Sequence, residues 1–573
     1  MLFKKEGKYM PISMQEFGET VKNLALGLHA LGHSKGDKLI ILSENRPAWT
    51  VTDFANLCLG GITVPIYTTV VSEGVKYIIN DSDARIVVVS TAGQWKKVEA
   101  VRAELPRVEH VIGLSDKALA PGVLTLAEIL ARGKALAAER PGLFEELARA
   151  VRPDDEASII YTSGTTGRPK GVVLTHANFV TNLVSVCEII DFSDTDTALS
   201  FLPLSHVLER IVTFAYVYRG ATIAYAESVE TVGENFLEVH PHIMVSVPRV
   251  FEKIYAKVMA TVLASPGLRR KIFFWALKTG KAYSARQLAH KPIGGGLKFR
   301  RKLAHKLVFS KIIAKTGGRV RFFVSGGAPL SKDIAEFFHA LGLIILEGYG
   351  LTETSPVISI NTFEKLKFGS VGPILPGVEV KIASDGEILA RGPNVMKGYY
   401  KKPAETMEVF EDGWFKTGDI GFLDEEGFLS ITDRKKDLIV TAGGKNIAPQ
   451  PIENILKTNP YISGAVVIGD RRRFVAALIV PNFEKLEEYA RFSKIPFGSR
   501  TELVRNEQVV GFLKSEIDRA TPQLASYEKI KRIALLERDF EIEKGEITPT
   551  LKVKRNAVET AYADIINTLY KED

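Results

Sequence analysis

SIIYTSGTTGRPKGVVLTH, residues 158 to 176, is the stretch on which the fold turns. Its two ends, SIIYT and GVVLTH, read as short buried strands. Between them, Tyr161 to Gly171 holds three glycines, three threonines, a serine and a lysine. Glycines let backbone amides approach an anion, hydroxyls add donors, and Lys170 adds charge. That is a loop suited to wrapping a phosphate. Pro169 stiffens its turn. No Gly-Lys-Ser/Thr follows, so a P-loop phosphotransferase is excluded. The loop runs from strand to strand, and Thr175 is placed to cap a helix beginning near Ala177.

Working outward, helix and strand patterns alternate. MQEFGETVKNLALGLHALG (Met14 to Gly32) has apolar residues at helical spacing and ends at a glycine. DKLIILSEN follows as a buried strand, and the order repeats in DFANLCLGGITVPIY and GVKYIINDSDARIVVVS. This is the pattern of an α/β protein with mainly parallel sheets. From Leu366 to Phe428, Gly, Pro and short strands such as VEVKIAS and GEILARG indicate a β-rich subdomain. After DRKKD (Asp433 to Asp437) the pattern changes: AVVIGDRRRFVAALIVP reads as a hairpin, with helices behind it. A domain boundary is expected there, leaving a C-terminal unit of about 135 residues, enough for its own core.

Composition excludes several classes. The chain has 573 residues, 46% hydrophobic and 25% charged, and only two cysteines, Cys58 and Cys187. They support neither a disulfide framework nor a Cys/His metal motif, and a reducing, cytoplasmic setting is expected. The N-terminus lacks the apolar stretch of a signal peptide. The most apolar region, Ala198 to Ala226, is broken by Glu209, Arg210 and Arg219, and reads as buried core rather than membrane span. Of the net charge of +8, Lys253 to Arg321 supplies 18 Lys/Arg and no Asp/Glu. In LKFRRKLAHKLVFSK the apolar Leu297, Leu303, Leu307, Phe309 and, just beyond, Ile312 fall at roughly helical spacing. A basic amphipathic surface for anionic lipid at the inner membrane face fits this pattern, as does a solvated helical face. No nucleic-acid signature accompanies it.

YTSGTTGRPKG resembles the phosphate loop of the adenylate-forming superfamily, which holds acyl-CoA synthetases, luciferases and peptide-synthetase adenylation domains. The remaining motifs follow in that family's order. FLPLSHVLER resembles its second signature, with His206 between nucleotide and acyl pockets and Val207 beside it. SGGAPL resembles the adenine-side segment, with Gly327 and Ala328. EGYGLTET supplies Glu347, Gly348, Tyr349 (stacking on adenine), Thr352 (phosphate) and Glu353 (Mg²⁺). GWFKTGDIG offers Asp419 to the ribose, and DRKKDLIVTAGGKNIAP offers Arg434 to the nucleotide and Lys436 as hinge. TPTLKVKR places Lys552 at the catalytic lysine. In the loop itself, Thr162, Ser163, Gly164, Thr165, Thr166, Gly167 and Lys170 would bind ATP, with Thr162 joining Glu353 at the metal. Many members have Gly before the catalytic lysine; here it is Leu551, and Lys554 is the alternative.

The resemblance implies a large N-terminal domain, 1–434, of two helix-flanked sheets with a β-rich subdomain at about 366–430, and a small mobile α+β C-terminal domain, 435–573. It implies ATP, Mg²⁺ and coenzyme A as co-substrates and cofactor. VPRVFEKIYAKV (Val247 to Val258) and the basic insertion after it resemble the long-chain fatty acyl-CoA synthetase branch. Transfer to a carrier protein, or activation of a shorter or aryl acid, are the alternatives; monomer and homodimer both stay open.

Overall fold

The computed structural model describes residues 1–115, 117–162, 168–548 and 552–571. In it the two strands flanking the phosphate loop, Glu156–Thr162 and Lys170–Thr175, pair antiparallel, Thr162 opposite Lys170. Thr175 caps the helix His176–Ile189 in a reciprocal box with Asn178, one residue before the expected start.

That hairpin is one side of an eight-stranded sheet. Beyond it lie, in order, Ile62–Ile66, Lys38–Leu42, Ile86–Val89, His110–Gly113 and Leu124–Thr125, all parallel. Their sequences are predominantly apolar, as in the fully buried IVVV of Ile86–Val89, because helices cover both faces. A second eight-stranded sheet has a parallel centre made of Ile344–Gly350, Phe322–Ser325, Ile243–Ser246, Thr197–Ser200 and Thr222–Tyr225. Side chains from both sheets share one core; Leu39 and Ile41 of the first cluster with Ile223, Ile243 and Phe322 of the second.

The β-rich region forms a five-stranded antiparallel sheet around the long strand Trp414–Leu423, whose neighbours include Glu387–Arg391 and Leu429–Arg434. After Arg434 a separate core begins. The strands Ile462–Ile468 and Ala476–Pro481 pair antiparallel, Arg532–Leu535 adds parallel, and the helix Glu507–Ala520 packs on them.

The basic insertion is helical: Pro248–Leu263, Gly267–Leu288 and Gly295–Ala304, then a π-helical turn over His305–Phe309. That turn breaks the register of the amphipathic stripe. Phe309 is driven into the core, whereas Leu303 and Leu307 stay exposed beside Phe299. No described helix is long and apolar enough to cross a membrane.

Candidate active site

The carboxyl ends of the parallel strands converge with the phosphate-loop hairpin, where ligands bind in open α/β sheets. The hairpin's base is braced. Tyr161 Oη donates to Asp81 Oδ2 at 2.5 Å, Tyr77 Oη donates to the Pro169 carbonyl at 3.0 Å, and the Arg168 guanidinium lies 5.4 Å above the Tyr77 ring. Ser163, Gly164, Thr165, Thr166 and Gly167 lie outside the described residues. At the loop's exit Lys170 Nζ sits 5.0 Å over the ring of Tyr399.

Tyr399 leads to the next motif. Its hydroxyl donates to Glu353 Oε1 at 3.0 Å. Glu353 sits in a short 3₁₀ turn, Thr352–Thr354, packed on the strand Lys170–Thr175. The chain enters that turn through Gly350, where a Cβ would lie 1.7 Å from the Pro356 carbonyl oxygen, so only glycine fits. Burial pushes the Glu353 carboxyl above its ordinary range. Among the described residues no cluster of three or more His, Cys, Asp or Glu could hold a metal unaided. Glu353 and Thr162 are single oxygen donors. That donor set suits Mg²⁺ arriving on a nucleotide's phosphates, an ion that takes few protein ligands.

A second group forms around Asp419, whose side chain is 4% exposed. Tyr349 Oη donates to Asp419 Oδ2 at 2.7 Å, and Arg434 Nε reaches Asp419 Oδ1 at 2.9 Å. The register of two adjacent strands makes this pair, since Asp419 lies opposite Arg434. Lys552 and Lys436 both feel Arg434 and Asp419, so the lysine from the far end of the chain lies within electrostatic reach of this group. Burial, with the Arg434 guanidinium second, pushes the Lys552 ammonium down to about 8. Glu347 pairs with Ser325 at the end of the parallel ladder between their strands, and burial pushes its carboxyl up to about 8. Gly327, in the left-handed region at φ 78°, and the half-buried Ala328 follow Ser325 at the neighbouring strand's end.

His206 caps the helix Val207–Arg219: its Nδ1 accepts from the Leu208 backbone N–H at 3.1 Å. Burial pushes the imidazole down to about 4. The ring is therefore neutral at pH 7, with its proton on Nε2, the nitrogen left free to donate. Val207 is buried behind it. The helix is tied down one turn on. Arg210 makes a two-pronged bond to Asp53 (Nε–Oδ2 2.8 Å, Nη2–Oδ1 2.6 Å) and donates from Nη1 to Ser158 Oγ at 2.5 Å, both charged side chains fully buried. From Leu208 onward the helix lines a wholly apolar cavity of about 50 Å³ against Val245 and Val324 of the second sheet.

The structure thus brings Lys170, Glu353, Tyr349, Asp419, Arg434, Lys436 and Lys552 into linked groups, with His206 capping the helix that leads to the apolar cavity. Tyr399 and the Asp53–Arg210–Ser158 tie were not found from sequence. Tyr399 sits in a plain aromatic string, NVMKGYYKKP, with no spacing to mark it. Arg210 showed itself only as a charge inside an apolar run.

Two family descriptions match nearly the whole chain: AMP-binding enzyme over residues 2–400, and AMP-binding enzyme C-terminal domain over 436–573. The long-chain-fatty-acid–CoA ligase FadD15 of Mycobacterium bovis is 37% identical, covering 99% of this chain and 94% of its own. Long chain acyl-CoA synthetase 6, peroxisomal, of Arabidopsis thaliana is 33% identical, covering 99% and 82%. Among solved structures, the adenylation domain of a carboxylate reductase from Mycobacterium chelonae superposes with a TM-score of 0.74 at 21% identity, covering 100% of this chain and 88% of that one. The anthranilate CoA ligase AuaEII gives 0.71 at 19%, covering 98% and 93%. At these identities the likeness to solved structures is one of fold.

Proposed function

We propose that this chain, which belongs to the AMP-binding enzyme family, is an AMP-forming long-chain fatty acid–CoA ligase. The observation behind this reading is the meeting of Lys552 with the Tyr349–Asp419–Arg434 group, beside a helix that leads from His206 into an apolar cavity. In the first half-reaction a carboxylate oxygen attacks the α-phosphorus of ATP. The bond to the bridging oxygen breaks, pyrophosphate leaves, and acyl-AMP stays bound. In the second, the sulfur of coenzyme A attacks the acyl carbonyl, AMP departs with the C–O electron pair, and the thiol proton is released. Neither step needs an enzyme nucleophile, and neither free cysteine lies in a motif.

The first transition state gathers negative charge, so preorganised donors do the work. Lys552 would place its ammonium against it, Lys170 and the loop would hold the β- and γ-phosphates, and Arg434 and Asp419 would fix the ribose. Tyr349 would face adenine, with Glu347, Gly348, Thr352, Gly327, Ala328 and Val207 around the nucleotide. Neutral His206 would donate from Nε2 to an oxygen between nucleotide and acyl group. Glu353, with Thr162, would hold Mg²⁺, which supplies positive charge to the phosphates. The boundary we propose falls at 434/435, with Lys436 as hinge.

The apolar lining supports an alkyl chain as the acid's tail. A 50 Å³ cavity has about the volume of one or two waters, so a long chain enters only as the lining moves apart. The outer surface supports a membrane source for such acids. Phe299, Leu303 and Leu307 are exposed one turn apart, with Lys298, Arg300, Lys302 and Lys306 around them. Arg301 is not part of that face: its guanidinium stacks over Phe309 at 4.6 Å. Reversing the four exposed charges should release the protein from anionic liposomes in co-sedimentation; binding unchanged by reversal would remove the contact.

The testing experiment is formation of AMP and palmitoyl-CoA from palmitate, ATP, Mg²⁺ and CoA, with palmitate-dependent pyrophosphate exchange measured without CoA. Both signals are expected. Exchange without acyl-CoA would move the acceptor to a carrier protein; no exchange with any fatty acid would overturn the reading.

A further inference from the structure

The apolar cavity has a direction and an end. Its helical wall is formed by successive turns of Val207–Arg219: Leu208, then Ile211 and Val212, then Ala215 and Tyr216. Leu208 to Tyr216 is eight residues, about 12 Å along the axis. Leu208 marks the end nearest the site, because its side chain packs 3.1 Å from where a Cβ on Gly326, in the SGGAPL segment, would stand. On the sheet wall Val245 pairs with Val324, and Ile243 with Phe322. The strands run toward the site, so Ile243 and Phe322 lie farther from it. Both walls therefore place Tyr216 and Phe322 at the far end.

There the cavity is closed by an aromatic pair. Phe192 meets Tyr216 edge-on, with ring centroids 5.8 Å apart and an interplanar angle of 80°. Outside the pair lies an ion-paired rim: Arg321, the residue before Phe322, reaches Asp196 at 2.6 Å and Asp191 at 3.1 Å. The Asp191 side chain, adjacent to Phe192 in the chain, is 86% exposed, so this rim is at the protein surface. Tyr216 is fixed within a helix. Phe192 belongs to the connection between the helix ending at Ile189 and the strand beginning at Thr197, where a ring can be removed without breaking an element.

We infer that the Phe192–Tyr216 pair is the floor of the acyl pocket and sets the longest chain this enzyme accepts. This rests on the fatty-acid reading above. A chain whose methyl end meets the rings too early holds its carboxylate away from the α-phosphate, and a short chain leaves apolar lining uncovered.

The test is kcat/KM in pyrophosphate exchange for octanoate, laurate, palmitate and arachidate, with melting curves alongside. Phe192→Ala deepens the pocket and should raise the arachidate-to-laurate ratio about tenfold or more, as a few methylenes of apolar contact allow. Ala215→Phe fills the far end of the cavity, beside Tyr216, and should lower the palmitate-to-octanoate ratio roughly ten- to a hundredfold. A loss of fold in one variant leaves the other to decide, and global damage would lower all four acids together rather than move a ratio. Wild-type ratios in a folded Phe192→Ala or Ala215→Phe enzyme would overturn the floor while leaving the ligase reading standing. A wild-type enzyme that turns over none of the four acids would overturn that reading, and the floor with it.

Discussion

At Lys552 burial and a nearby guanidinium act together to push the ammonium down to about 8. The proposed role needs the charged form, so kcat/KM for exchange, which reports the free enzyme, should fall as pH rises through about 8. Lys552→Arg, whose guanidinium keeps its proton, should lack that limb whatever its absolute rate. The contribution of Lys552 to stability runs the opposite way. The folded-state value lies below an ordinary lysine's, about 10.4, so between the two the unfolded chain binds more protons and stability rises with pH. Lys552→Ala should cost about 3–4 kcal/mol of transition-state stabilisation, as loss of a preorganised charge does; near-normal exchange would end the assignment. Tyr399 gives a sharper test of the metal side. Tyr399→Phe keeps the ring under Lys170 but removes the bond to Glu353. A bond to a charged group contributes about 1.5–3 kcal/mol, so activity should drop and the Mg²⁺ needed for half-maximal exchange should rise. An unchanged Mg²⁺ titration would leave Tyr399 only a packing role. These two residues also show what a sequence reveals at this scale. Lys552 stood out because its motif came in order after six others. Tyr399 acts through contacts made across the fold, which no local spacing records.

The helix Val207–Arg219 joins the two sheets by its charged side chains as much as by its apolar ones. Arg210 is held by Asp53, from the helix Pro47–Cys58, and by Ser158, from the strand leading into the phosphate loop. Removing one partner of a fully buried pair leaves an uncompensated charge, at a cost of about 3–5 kcal/mol. Asp53→Ala should lose that much stability in urea denaturation, and far more than Lys22→Ala, which breaks a surface pair with Glu145 and a contact with the Phe144 ring. Equal losses would show that Asp53 is dispensable. Element type was largely legible in the sequence. The helix over Met14–Ala30, the strand over Lys38–Leu42 and the hairpin at Ile462–Pro481 follow directly from apolar periodicity. The π-helical turn at His305–Phe309 was not legible. A stripe of leucines and phenylalanine fits an unbroken helix equally well, and only packing of Phe309 into the core chose the other register.

On the scale of the whole molecule, the chain after Arg434 is held against the large domain at a few named points. Arg249 donates to the Ser463 carbonyl across the two units, and Lys552 lies beside Arg434 and Asp419. This is the arrangement in which the proposed adenylation step would take place. Where the two units sit relative to each other could not be read from periodicity, because the contacts that fix it are few and join residues hundreds of positions apart. The hinge we propose at Lys436 directly follows an anchored residue. Lys435 is anchored to the β-rich sheet, its amine 2.8 Å from Glu387 and 2.6 Å from Asp385, and its backbone N–H bonds to the Gly418 carbonyl. Lys436 follows in a turn closed by the Asp437 and Leu438 N–H groups on the Arg434 carbonyl, bonds that a pivot at 436 would exchange. Proline there fixes φ and also restricts the residue before it. Lys436→Pro should therefore keep fatty-acid-dependent pyrophosphate exchange while slowing the CoA-dependent step, measured as single-turnover thiolysis of preformed acyl-AMP. The contrast between the two rates is the discriminating quantity. A hinge variant trapped as it stands here loses only the step that needs Lys552 to withdraw and CoA to enter. A variant damaged at the nucleotide site loses exchange first, and equal loss of both would place Lys436 among the binding residues instead of at a pivot.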